Sequence, residues 1–327
     1  MNITVLSGGV GGARFTRGLL ALLRERLPDG AGGTTAHVTV VANTGDDLWL
    51  HGVRVCPDLD TLLYTLGDAV HEEQGWGRRD ESRRVSDDLA AYGLGWEWFT
   101  LGDLDLATHL ARTELLRRGL PLSAVVERLA QRWRPGVRLL PMTDHEVETH
   151  VRTADGLLHF EEWWVRHRAA VPALGFEQVG LAGSSPAPGV LDAIAGADVV
   201  VVPPSNPVVS VGTILAVPGV GDALRTTTAR VVGVSPVVGG APVRGMADAC
   251  LAAIGVETSA LAVARHYGRR AAGGVLDAWL VDTADADAVA PLRAEGWDVA
   301  AAGTLMHDVP TTAGIAARAL ALVGLTP

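Results

Sequence analysis

Short runs of β-branched and aliphatic residues recur along this chain, each stopped by Gly, Pro, Ser or Asn and followed by an Ala/Leu-rich stretch at helical spacing. That alternation is the pattern of a parallel sheet covered by helices, because parallel strands need long crossovers and the crossovers bury the strands on both faces. The clearest predicted strands are 3–7, 37–42, 198–202, 230–234, 275–281 and 298–301, all nearly continuously apolar. Helices are predicted over 12–26, 210–215, 243–254 and 311–323.

Between the second and third of these strands the pattern changes. Residues 86–133 are strongly helical, 138–140 form a short strand, and 147–152 with 157–163 read as a β-hairpin joined by Thr153-Ala154-Asp155-Gly156. The Gly/Ser/Pro cluster 183–189 is the best candidate linker. The expected fold is α/β: one Rossmann-like, doubly wound, mostly parallel sheet spanning 1–327 and built from both chain ends. It carries a helical and β-hairpin insertion at about 76–182.

Composition removes several functions. All 27 basic residues are Arg, so neither a Schiff-base lysine nor a lysine-bearing P-loop is available. With 37 acidic residues and a formal net charge of −10, the chain is a poor match for nucleic acid or for a polybasic membrane binder. Cys56 and Cys250 form no CxxC pair or disulfide framework and read as two buried thiols. No basic region followed by an apolar one opens the sequence, and runs such as 197–204 are too short for a bilayer. A soluble cytoplasmic protein is expected. No GxSxG elbow or HExxH motif points to a serine hydrolase or zinc peptidase, and spacing assigns no role to His51, His109 or His307.

The first strand ends in Ser7-Gly8-Gly9-Val10-Gly11-Gly12-Ala13-Arg14, a glycine loop opening a helix. Free backbone N–H groups and the helix dipole there favour phosphate. A dinucleotide fingerprint from Gly9 requires glycine where Arg14 stands, but a guanidinium at that place offers phosphate a two-pronged fork. Without a ligand, the same glycines make a tight turn beside a solvated arginine. The second strand ends in Asn43-Thr44-Gly45-Asp46-Asp47, followed by Pro57-Asp58-Leu59-Asp60-Thr61. Carboxylates at strand ends suit Mg²⁺, and Asp58 and Asp60 share one side of an extended segment with Leu59 turned away. The alternative is an Asx turn and a helix N-cap supplied by Asp60.

Pro203-Pro204-Ser205-Asn206-Pro207 and Ser235-Pro236-Val237-Val238-Gly239-Gly240 each follow a buried strand and offer donors to one nucleotide, or else are proline-rich turns. The acids of Leu101-Gly102-Asp103-Leu104-Asp105 can cap a helix. Trp76, Trp96, Trp98, Trp163 and Trp164 can stack a flat heterocycle or pack in the core.

With Pro141-Met142-Thr143-Asp144 and Trp163-Trp164-Val165-Arg166 added, these motifs in this order resemble the 2-phospho-L-lactate transferase family of coenzyme F-420 biosynthesis. Gly11-Gly12-Ala13-Arg14 with Cys56-Pro57 looks most like its actinobacterial branch, which uses a phosphoenolpyruvyl donor. The resemblance implies a Mg²⁺-dependent homodimer that moves a phosphoenolpyruvyl or 2-phospho-L-lactyl group from a guanosine diphosphate conjugate to the ribityl hydroxyl of the deazaflavin Fo, releasing GMP. Carried onto this sequence, Asp60 is the catalytic residue at the acceptor hydroxyl and a metal ligand, with Asp46 the second metal-side carboxylate. Gly9, Val10, Gly11, Gly12, Arg14, Ser205, Asn206, Gly239 and Gly240 hold the nucleotide. Thr100 stands at an acceptor-contact position where some relatives carry Lys. A regulatory group resembling the gluconeogenesis factor, which binds nucleotide-sugars, shares the glycine loop. Trp163-Trp164 and the intact 57–61 motif favour the transferase.

Overall fold

The computed structural model describes residues 1–95 and 98–326; Trp96 lies outside them. Seven parallel strands form the central sheet, in the order Asp298–Ala301, Ala278–Val281, Arg230–Val234, Val199–Val202, Asn2–Ser7, His37–Ala42, Arg138–Pro141. This is the doubly wound arrangement expected, and its order reverses between Asn2–Ser7 and Val199–Val202. Alternate residues of the inner strands feed two cores: Ile3, Val5, Val199 and Val201 on one face, Leu6, Val200 and Val202 on the other. Burial on both faces is why these strands read as continuous apolar runs.

The strand expected over 275–281 begins only at Ala278. Val275 and Leu276 are diverted, their N–H groups donating to Tyr267 O and Gly268 O at 3.2 and 3.1 Å. The 183–189 cluster is no loose linker either. Thr143 Oγ1 donates to Ser185 O at 2.6 Å, Pro186 bridges Thr143, and Ala187 is buried.

Helix Val10–Arg26 starts two residues earlier than expected and packs on Val309–Leu322. Gly18 permits that approach, since a Cβ there would lie 2.4 Å from Thr312 Cγ2. The helix expected from 243 begins at Ala247, because Val237–Val238 and Ala241–Pro242 pair as a small hairpin. Its turn places Gly239 and Gly240 at φ +59° and +77°.

Residues 86–133 fall largely in three helices, Arg84–Ala91, Asp103–Arg117 and Leu122–Trp133. The predicted hairpin is present as Glu148–Thr153 with Gly156–His159, but Gly175–Val179 adds a third strand. The second strand stops at His159, and Glu162–Arg166 forms a π-helical turn.

The expectation that 57–61 is extended is overturned. Pro57–Leu66 is an α-helix with proline at its first position, where the missing N–H costs nothing, and with Asp58 and Asp60 in the dipole-favoured first turn. Two positions on a helix differ by about 200° in direction. Asp58 and Asp60 therefore face different neighbours.

Candidate active site

The glycine loop lies at the point where the sheet order reverses, beside the loop that follows Val199–Val202. Gly8 N–H donates to Ser205 Oγ at 3.2 Å, joining the two loops. None of Gly8, Gly9, Gly11 or Gly12 has a positive φ. Close approach is what demands glycine: a Cβ on Gly11 would lie 2.0 Å from Pro204 O, on Gly12 1.8 Å from Ser7 Oγ, and on Gly9 2.4 Å from Asp58 Oδ1. The Gly9 N–H bonds the Asp58 carboxylate, so a protein carboxylate faces the start of the helix that begins at Val10. Asn206 closes an Asx-type turn, its Oδ1 accepting from Val208 N and Val209 N at 2.9 and 3.2 Å. Gly239 N–H donates to Asp285 Oδ2 at 2.9 Å, and Arg14 donates to Glu72 O at 3.2 Å.

The acids divide into two groups. In the first, the buried Asn43 amide donates to Asp46 Oδ2 at 3.1 Å and to Asp58 Oδ2 at 3.0 Å, and the buried Glu161 lies close enough for its charge to act on Asp46. Burial is the main influence on all three carboxyls. It raises Asp46 well above the ordinary range, with Asp58 and Glu161 adding repulsion. Asp58, its carboxyl turned inward, is pushed up to about 6, and Glu161 up to about 8. Asp46 Oδ1 is buried with no hydrogen-bond partner among the described residues.

In the second group, Arg112 is fully buried on helix Asp103–Arg117 and bonds Asp60 Oδ1, Arg54 O at 3.1 Å and His109 Nδ1 at 3.1 Å. A guanidinium only donates, so Nδ1 accepts and the ring proton sits on Nε2, 3.4 Å from Asp105 Oδ2. Tyr64 OH donates to Asp105 Oδ1 at 2.6 Å. Burial raises Asp60 while the positive charge and hydrogen bond of Arg112 oppose it. Burial also presses Asp105 upward, but its bonds to His109 and Tyr64 outweigh that and hold it below the usual range. Ligand atoms of Asp60, Asp105 and His109 lie within 4.8 Å of one another, a possible metal triad. Asp47 lies between the groups, with Arg54 at 3.9 Å, and burial pushes it up to about 7.

Asp46 and Asp60, paired by the sequence reading, thus belong to separate groups, because the helix turns Asp60 away from the side that Asp58 occupies. Glu161, His109 and Arg112 went unassigned. The i, i+4 and i, i+3 spacing of Asp105, His109 and Arg112 on one predicted helix was the available signal for two of them. Glu161 has no local signal.

Asp103 does cap a helix, though not its own: it accepts from Val85 N and Arg84 N at 3.1 and 3.3 Å. Trp163 is core, its Nε1 donating to Val171 O at 2.7 Å, and Trp164 packs on Phe160. Trp76 is exposed. Thr100, bonded by Arg83 at 3.0 Å, lines a cavity of about 450 Å³ with Val85, Leu89, Phe99 and Leu106. Both cysteines are buried and free.

The family model described as 2-phospho-L-lactate transferase CofD matches residues 3–315. The chain belongs to the CofD family. It is 57% identical over 326 residues to a phosphoenolpyruvate transferase of Streptomyces coelicolor and 56% identical to one of Thermobifida fusca, each alignment covering 98% of both chains. A phosphoenolpyruvate transferase of Mycobacterium sp. strain KMS is 51% identical over 335 residues, covering 100% of both. Among solved structures, a UPF0052-family protein of Bacillus halodurans superposes with a TM-score of 0.61 at 18% identity, covering 98% of this chain and 99% of that one. That likeness is one of fold. For this CofD-family chain, the regulatory reading loses ground to the transferase, since the matched family and the curated relatives are transferases by name.

Proposed function

We propose that this chain transfers a phosphoenolpyruvyl or 2-phospho-L-lactyl group from a guanosine diphosphate conjugate to the ribityl hydroxyl of Fo, releasing GMP and forming dehydro-F-420-0 or F-420-0. The supporting observation is the group of Asp46, Asp58 and Glu161 beside the glycine loop at the sheet's switch point. Two carboxylates sharing the Asn43 amide, with Asp46 Oδ1 unbonded among the described residues and Glu161 adding negative charge nearby, form an all-oxygen set suited to a hard cation. Mg²⁺ would be held there by Asp46 and Asp58, with Glu161 contributing negative charge nearby rather than a third converging ligand atom. Bound, it would neutralise charge on the donor's diphosphate. The triad of Asp60, Asp105 and His109 fits Mg²⁺ less well, because a nitrogen is included and Arg112 already bonds the Asp60 carboxylate.

In this reading Asp60 keeps its place at the acceptor. Arg112 fixes one oxygen, while Oδ2 has no hydrogen-bond partner among the described residues and accepts the ribityl O–H. The hydroxyl oxygen then bonds to the phosphorus carrying the three-carbon group as the bond from that phosphorus to GMP breaks, and the hydroxyl proton passes to Asp60 Oδ2. Gly9 to Gly12, Arg14, Ser205, Asn206, Gly239 and Gly240 surround the nucleotide. The cavity beside Thr100 takes the flat deazaflavin ring. A homodimer acting in the cytoplasm completes the reading; among the described residues, no helix is long and apolar enough to cross a membrane.

The test is to incubate the purified protein with Fo, Mg²⁺ and either donor, following GMP and the coupled deazaflavin by mass spectrometry. A Mg²⁺-dependent coupled product supports the proposal, and the faster donor identifies the transferred group. Tight guanine-nucleotide binding with no product from either donor would move the reading to a nucleotide-binding regulator.

A further inference from the structure

Two arginines distant in sequence converge beside Gly75. Arg14 lies one turn inside helix Val10–Arg26, and Arg244 follows the Val237–Pro242 hairpin. A side-chain carbon on Gly75 would lie 2.8 Å from Arg244 Nη1, 3.5 Å from Arg14 Nη2 and 3.0 Å from Val10 Cγ1. Both guanidiniums therefore border the same small space at the mouth of the loop.

What holds them there is neutral. Arg14 Nη2 donates to Glu72 O at 3.2 Å, and Arg244 donates to Gln74 O at 2.9 Å and Glu73 O at 3.0 Å. Neither arginine has an ion pair among the described residues. The nearby Glu72 carboxylate is bonded by both terminal nitrogens of Arg17, at 2.6 and 3.1 Å. Burial lowers the Arg14 pKa, and the charges of Arg244 and Arg17 lower it further. An oxyanion between the two forks relieves this repulsion and gains charge-assisted hydrogen bonds.

We propose that Arg14 and Arg244 are the two jaws of an oxyanion clamp that grips the diphosphate of the donor, with the loop that follows Gly239-Gly240 carrying Arg244 beside Arg14. This rests on the reading of the donor as a nucleoside diphosphate conjugate and adds Arg244 as a donor-recognition residue. The competing role is purely architectural, with both arginines pinning the 72–75 segment through its carbonyls.

The experiment is calorimetric titration of the full-length chain, in Mg²⁺, with inorganic pyrophosphate, GDP and guanosine as separate probes. The wild type is compared with Arg14→Gln, Arg244→Gln and the double variant, with melting temperature recorded for each. Each single variant is expected to weaken pyrophosphate and GDP binding by about tenfold or more, with guanosine binding unchanged. The double variant should bind no pyrophosphate. Unchanged pyrophosphate binding in both single variants, or equal loss of GDP and guanosine binding, overturns the clamp; so does a wild type that takes no pyrophosphate. If the wild type takes pyrophosphate through these arginines yet shows no guanosine preference, the clamp stands and the guanosine donor falls. Continued transfer to Fo by variants with unaltered pyrophosphate binding leaves the transferase reading intact and removes the clamp.

Discussion

Replacing Arg112 with methionine keeps much of the side-chain volume and removes the charge. In the folded protein this strands the buried Asp60 carboxylate and leaves the Arg54 carbonyl and His109 Nδ1 without their donor. Breaking a buried ion pair by deleting one partner costs about 3–5 kcal/mol, because the surviving charge stays desolvated. For 327 residues the unfolding entropy is roughly 0.7 kcal/mol/K, which converts that loss to a melting-temperature drop of about 4–7 °C. Circular dichroism melts of the wild type, Arg112→Met, Asp60→Asn and the double variant form a cycle. Asp60→Asn alone should destabilise, since it leaves the guanidinium unpaired. In the Arg112→Met background it should restore part of the lost stability, by removing the stranded charge. An Arg112→Met protein melting within about 1 °C of wild type would refute this account of the buried pair, as would Asp60→Asn adding its full single-variant loss to the double.

Gly11→Ala should abolish soluble folded protein or nucleotide binding, because the obstruction is the Pro204 carbonyl at 2.0 Å, which is backbone; expression and GDP titration check it. Gly9→Ala meets the end of the Asp58 side chain instead and should fold, melting about 1–3 °C lower, with transfer activity reduced tenfold or more as Asp58 is displaced. Glu161, its carboxyl pushed up to about 8, is largely protonated at pH 7 and costs stability as pH rises toward that value, so without metal Glu161→Gln should melt at or above wild type with the gain largest above about pH 8, while the rise in melting temperature on adding Mg²⁺ should shrink. Asp282 accepts from Ala284 N, Thr304 N and Thr304 Oγ1 at 2.9, 2.6 and 3.0 Å, and these bonds hold its carboxyl below the ordinary range despite burial. A depressed folded pKa gives stability that is present above the unfolded value near 3.9 and lost as pH falls through the folded one. Asp282→Asn should therefore melt about 1–4 °C below wild type at pH 7, and the gap should close below about pH 4.

The strands at the switch point were legible because parallel strands covered on both faces leave uninterrupted apolar runs, as in Val199–Val202. Helix Pro57–Leu66 was misread although its buried Leu59, Leu62 and Leu63 follow helical spacing. The two aspartates drew the reading toward an extended ligand segment. Local spacing could have paired Asp105 with His109. No local rule could bring Glu161 to Asp58, or Arg244 to Arg14, because those encounters depend on how distant elements pack. Glycine was inferred for its free backbone, but in the loop after Ser7 it serves chiefly as the absence of a Cβ where another chain segment passes.

The partners in the Gly8 to Ser205 contact are separated by nearly two hundred residues of chain. A ribosome adding about 5–20 residues per second needs on the order of 10–40 s to pass from one to the other. Through that interval the nascent chain carries its glycine loop with one wall missing, and the Asn2–Ser7 strand has no neighbour on the side that Val199–Val202 will fill. A polypeptide released before Val199 would expose that edge of the Asn2–Ser7 strand rather than a partly working enzyme.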